Sequence, residues 1–401
     1  MTRGPGIDGE IRSNVSPPVP PVYSMAPPRA SRYLPLMALT HGTCTDRFAA
    51  VREALAASLD DKDVGASVAV FVDGEPVVDL WGGYTDADRT TPWERDTLTH
   101  VWSTTKTMTA LCVLMLADRG ELDLDAPVAT YWPEFAAAGK EGVRVRHVLA
   151  HTAGLPRFDA PTTLEDLYDW PTVTSRLAAQ APAWEPGTEA GYHAVTQGYL
   201  LGEIVRRVTG RSLGTFLAEE VTGPLGADFH IGLPAEHDHR VAPIIAPPSS
   251  PPRGGPPPNP AIPDGTANTT AWRRAEIPAA NGHGNARSVA AVQSLLACGG
   301  AARGVRLLSE KGCERVLEEQ FDGTDSVLGV PMRYGMGYGL NGGQLPNPRT
   351  CFWAGWGGSI VLVDLDARMA VAYVMNQMID EGLGDDRAFM ILAAVYEGLS
   401  A

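Results

Sequence analysis

The sequence predicts an α/β (α+β) fold: one antiparallel β-sheet flanked by terminal helices, with a mainly helical domain inserted into it. Three observations predict this. A hairpin signal lies near the beginning, a pair of apolar strand-like runs lies near the end, and between them apolar residues recur almost wholly at helical spacing. Strands supplied by both ends of a chain pair most economically in one sheet. The sheet is therefore expected from residues 37–95 and 288–401, the helical domain from 96–287, and the functional site at the seam between them.

Taken in order, residues 1–36 are rich in proline (Ser16-Pro17-Pro18-Val19-Pro20-Pro21, then Ala26-Pro27-Pro28) and read as a disordered tail, with Met25 or Met37 as possible alternative starts. Asp46 to Leu59 has apolar residues at helical spacing. Ala66 to Val72, the turn Asp73-Gly74 and Val77 to Trp81 read as a β-hairpin. A long helix is predicted from Ser103 to Asp118, stopped at Gly120. Shorter helical patterns follow at Arg146–Ala150, Val173–Ala179, Thr196–Val208 and Leu213–Val221. Leu233 to Ala280 is proline-dense and irregular, the kind of long loop that covers a site or is disordered. A helix at Ser288–Cys298 comes next. The strands Ile360–Leu365 and Met369–Met375 are joined by Asp366-Ala367-Arg368, and Asp385–Leu399 reads as a closing helix.

Composition narrows the function. The chain has 401 residues, 44% hydrophobic and 20% charged, with a formal charge of −15. Those proportions are ordinary for a globular protein. The acidic surface repels nucleic acid and anionic membrane, so neither is expected as a partner. No stretch approaches a membrane span, and the beginning lacks the apolar core of a secretory signal. The five cysteines (Cys44, Cys112, Cys298, Cys313, Cys351) are scattered and never spaced as CxxC, which fits free thiols in a reducing compartment. A cytoplasmic location is the resulting expectation. No cofactor is implied. Glu236-His237-Asp238-His239 has the residue types of a metal site, but it falls in the irregular loop without a partner cluster, so no metal is expected.

Lysine is scarce: Lys62, Lys106, Lys140 and Lys311 are the only four. One of them lies in Ser103-Thr104-Thr105-Lys106, where a helix is expected to begin, so Lys106 sits one turn beyond Ser103 on the same face. A serine hydroxyl needs a base beside it, and a lysine serves only if burial and the helix start lower its pKa. The plain alternative makes Ser103 a helix N-cap and Lys106 an exposed helical residue. Gly191-Tyr192-His193-Ala194 stands just before the helix Thr196–Val208. A phenol there relays a proton if it meets the Ser/Lys pair, its pKa lowered by the lysine; otherwise it is a packed ring. Trp353-Ala354-Gly355-Trp356 precedes the strand Ile360–Leu365. It is either a glycine-rich turn or a strand edge whose N–H pairs with that of Ser103 to hold an oxyanion.

In this order and at these separations the three elements resemble the serine β-lactamase and penicillin-binding-protein superfamily, and within it the class C β-lactamase-like esterases known as family VIII carboxylesterases. Ser103-Thr104-Thr105-Lys106 matches the SxxK element and Tyr192 the tyrosine of YxN or YxS. Trp353-Ala354-Gly355 falls where β-lactamases have KTG and these esterases have WxG or HxG. The likeness spans roughly residues 40 to 400. It implies the β-lactamase/transpeptidase-like fold and a small-molecule ester or acyl substrate. It also implies Ser103, Lys106 and Tyr192 as catalytic residues, with the backbone of Trp356 as second oxyanion donor. Trp102, Trp353 and Trp356 supply an apolar pocket in this reading. Two departures bear on substrate: Ala194 replaces the asparagine that contacts a substrate amide, and Trp353 replaces the lysine that meets a carboxylate. Both favour a neutral ester. Acyl transfer from the same acyl-enzyme is the alternative, with β-lactamase or D-alanyl peptidase activity below it. His151 is read as a structural turn, since the GxSxG elbow is absent, and Cys112 as core packing.

Overall fold

Runs that are apolar at every position, not at alternate ones, belong to strands covered on both faces, and two such runs centre this fold. Gly65–Val72 and Met369–Met375 are buried almost throughout and pair antiparallel, with Val70 opposite Val371. The computed structural model describes residues 1, 38–247, 259–380 and 384–400. The tail expected over 1–36 falls, apart from its first residue, outside the described residues, as do 248–258 of the proline-dense loop.

Among the described residues nine strands form one antiparallel sheet in the order Thr40–Cys44, Glu75–Gly83, Gly65–Val72, Met369–Met375, Ile360–Asp364, Thr350–Ala354, Gly339–Leu340, Pro331–Tyr334 and Phe321–Thr324. The hairpin and the two late strands match the sequence reading. The other five strands were not expected. Thr40–Cys44 is a polar edge strand and the remainder are short. The helices Ala49–Asp61 and Asp386–Ser400 pack against each other and the sheet, and Ala286–Ala297 packs on its central strands. The side chain of Asn285 caps Ala286–Ala297 by accepting from the Ser288 N–H.

Between the two groups of strands the chain is mainly helical, with Thr105–Asp118, Val145–Leu149, Trp170–Ala179, Thr196–Thr209 and Leu213–Leu217 close to the expected bounds. A small second sheet was not foreseen: Leu98–His100 pairs with Val241–Ala242 and His283–Gly284. Arg387 is wholly buried between Asp63 and Asp385, and its guanidinium also donates to the Gly357 carbonyl at 2.7 Å. Among the described residues no helix is long and apolar enough to cross a membrane.

Candidate active site

The helix carrying Lys106 begins two residues later than the sequence suggested. Ser103 is not an N-cap but the middle of a 3₁₀ turn, Trp102–Thr104, that runs into Thr105–Asp118. Trp102 takes a φ of 46°, a left-handed conformation costly for a tryptophan. Its ring is wedged against His100 and Trp356, with centroids 4.4 and 4.9 Å away, and this packing holds the strained turn. The side chains of Ser103 and Lys106 still share a face, and Lys106 Nζ lies 3.3 Å from Ser103 Oγ.

Lys106 is 1% exposed and, among the described residues, has no carboxylate as a hydrogen-bond partner. Burial holds its pKa well below the usual 10.5, a shift toward the neutral amine. A neutral amine has two N–H donors and one lone pair. Nζ donates to the carbonyls of Ala194 at 2.7 Å and Ala279 at 2.9 Å. In the neutral form those bonds use both donors and leave the lone pair for the Ser103 hydroxyl.

Tyr192 approaches from the other side, its phenol donating to Ser103 Oγ at 2.6 Å. The sequence reading expects a lowered phenol pKa. Instead burial pushes it up to about 12, opposed by the hydrogen bond to Ser103. Burial strips the water that would solvate a phenolate, and the nearby Asp325 carboxylate disfavours one further.

Trp353-Ala354-Gly355 closes the site. Gly355 follows the strand Thr350–Ala354 and packs against the turn before Ser103 so tightly that a Cβ there would stand 2.2 Å from the Val101 carbonyl oxygen. Ser359 Oγ donates to that same carbonyl at 2.8 Å and lies 3.0 Å from Thr104 Oγ1. Gly355→Ala is expected to push the strand off the Ser103 turn. Steady-state kinetics should show a loss of about 10²-fold in kcat, and urea melts a destabilisation of roughly 1–3 kcal/mol.

The three tryptophans do not form one wall. Trp102 and Trp356 line a cavity of about 10 Å³ with Ile244, Pro263, Ala267 and Met378, so described parts of the proline-dense loop flank it. Trp353 lies on the tyrosine side, where its ring stacks on His151 and sits 5.7 Å from that of Tyr192. His151 supports Tyr192 rather than Ser103. Its carbonyl accepts from the Gly191 N–H and its Nδ1 from the His193 N–H, both at 3.1 Å. Asp238 of the acidic-histidine segment is paired with Arg273 and Arg274. Among the described residues no cluster of three or more His, Cys, Asp or Glu side chains is arranged to hold a metal ion. Cys112 is buried in the core.

Three groups around the site escaped the sequence reading: the Ala194 and Ala279 carbonyls and the Asp325 carboxylate, which accepts from the Tyr192 N–H at 3.1 Å. The carbonyls leave no side-chain signal. Asp325 carries the signal of an Asx turn, since it accepts from the N–H groups of Val327 and Leu328, but nothing local says that it reaches Tyr192.

The Beta-lactamase family model matches residues 50–395. "Esterase/beta-lactamase LipL" of Mycobacterium tuberculosis is 36% identical over 383 residues, covering 86% of this chain and 85% of that protein. Among solved structures, a family VIII carboxylesterase superposes with a TM-score of 0.85 at 44% identity, covering 90% of this chain and all of the other. A penicillin-binding protein homologue from Caulobacter crescentus gives 0.84 at 39% identity, covering 90% of this chain and 99% of its own.

Proposed function

Because the chain belongs to the beta-lactamase family, we propose that it is a hydrolase of neutral small-molecule carboxylic esters that works through an acyl-enzyme on Ser103. Its relatives are named as an esterase/beta-lactamase and a family VIII carboxylesterase, and ester hydrolysis is the chemistry they share by name. The observation that carries the reading is the contact geometry at Ser103 Oγ: the Nζ of a buried lysine lies 3.3 Å from it and a phenol donates to it at 2.6 Å.

In this reading the Ser103 proton passes to Lys106 Nζ as Oγ bonds to the ester carbonyl carbon. Backbone N–H groups of Ser103 and Trp356 receive the oxyanion. Lys106 is now an ammonium 4.8 Å from the centre of the Tyr192 ring. Its new charge makes the phenol more acidic at the moment a proton is needed. Tyr192 protonates the departing alkoxide as the carbon–oxygen bond breaks, then recovers a proton from Lys106. Water repeats the cycle on the acyl-enzyme, releasing the acid and restoring Ser103.

Substrate choice follows from what is absent around the pair. Ala194 offers its carbonyl to Lys106 and has only a methyl group where an amide contact would be needed, and the buried Trp353 brings no cation for a carboxylate. Intact-protein mass measurement during turnover of a short-chain aryl ester is expected to find one acyl group added, mapped to Ser103. Turnover with any other residue acylated would sink the reading.

A further inference from the structure

Tyr192 is useful as a proton donor only if its phenol stays on Ser103 Oγ, yet it lies on an irregular stretch between a turn and a helix. What fixes it comes from an unexpected quarter. The hairpin of Phe321–Thr324 and Pro331–Tyr334, at the far edge of the sheet, reaches back over this stretch with its tip. Ser326 donates to the Ala190 carbonyl through its N–H at 2.9 Å and its hydroxyl at 3.0 Å. Asp325, 0% exposed, goes further. Its Oδ1 accepts from the Tyr192 N–H at 3.1 Å while also closing the tip through Val327 and Leu328. Its Oδ2 accepts from the Tyr334 hydroxyl at 2.8 Å, and the Tyr334 ring stands 5.9 Å from that of Trp353 and 5.1 Å from that of His151. A single buried carboxylate thus grips both the backbone of Tyr192 and an aromatic ring that packs around it.

From this juxtaposition we infer that Asp325 is a positioning residue for proton donation by Tyr192, an inference that rests on the hydrolytic reading above. A carboxylate used only to close a hairpin would be satisfied at the exposed tip. This one is buried and spends an oxygen on a residue 133 positions away in sequence. A buried carboxylate needs hydrogen bonds in place of water, and four donors supply them here. After burial itself, the Asp325 charge also acts to raise the phenol pKa, which keeps Tyr192 protonated and ready to donate.

The test compares two acetate esters that differ in how much they need an acid. p-Nitrophenolate leaves without a proton, whereas phenolate, a stronger base, gains more from a donated one. Because both esters form the same acetyl-enzyme, the acylation step is read in kcat/KM: Asp325→Ala is expected to lower it on phenyl acetate by about 10²-fold and on p-nitrophenyl acetate by several-fold at most. Asp325→Asn keeps an acceptor for the Tyr192 N–H and is expected to show an intermediate bias of the same sign. It decides the matter if the alanine variant does not fold. Equal losses on the two esters, or no loss, overturn the inference. Tyr192→Phe serves as the control. If it shows the bias and the Asp325 variants do not, the role of Asp325 alone falls. If it too lacks the bias, the role of the tyrosine falls with it.

Discussion

Ser103→Ala is expected to lower kcat on a short-chain aryl ester by about 10⁴- to 10⁶-fold and to abolish the acylated species in the mass spectrum. The loss is large because no other nucleophile stands where Oγ stands. Lys106 Nζ is committed to two carbonyls, and the Tyr192 phenol is held protonated by burial. A residual rate above that in water is expected, since the oxyanion donors and the pocket remain. Thermal melting should be little changed, because the hydroxyl makes no contact that the core depends on. A folded Ser103→Ala protein that keeps its rate would end the assignment.

Lys106 comes second. Lys106→Arg replaces an amine that can shed its proton with a guanidinium that cannot, and kcat is expected to fall by about 10²- to 10⁴-fold. The wild-type pH profile carries the same information. Catalysis needs the neutral amine, and the amine's pKa is depressed by burial. The rate should therefore rise with pH through that lowered pKa and level off while an ordinary lysine, at 10.5, is still charged. The sign for stability follows from the same shift. Between the lowered pKa and 10.5 the folded state binds fewer protons at this site than the unfolded state does, so stability gains as pH rises through that window. Paired urea melts of wild type and Lys106→Met should show the wild type gaining on the variant across it. A constant difference would mean that the buried amine is charged.

The sequence was most informative where structure is local and burial complete. Gly65–Val72 and Met369–Met375 announced themselves as apolar runs, and Ser103 and Lys106 share a face because one helical turn requires it. The strands Thr40–Cys44, with its polar Thr-His-Gly-Thr-Cys, and Phe321–Thr324, with Phe-Asp-Gly-Thr, were hidden because edge strands need no apolar pattern. Tyr192 could be named but its raised pKa could not, since that comes from burial by residues far away in sequence. The carbonyls that hold Lys106 could not be read at all, because alanine at 194 and 279 says nothing of where its backbone points.

The pairing of Gly65–Val72 with Met369–Met375 has a consequence for how the protein is made. The first of these strands can pair at once with Glu75–Gly83, but its other, hydrophobic edge waits open until the late strands have been made. Long-range pairings of this kind fold slowly and leave sticky edges open in the meantime. A nascent chain stalled before its last strands would expose that edge to its neighbours on the polysome, and chaperone demand during synthesis should exceed what the finished molecule's stability suggests.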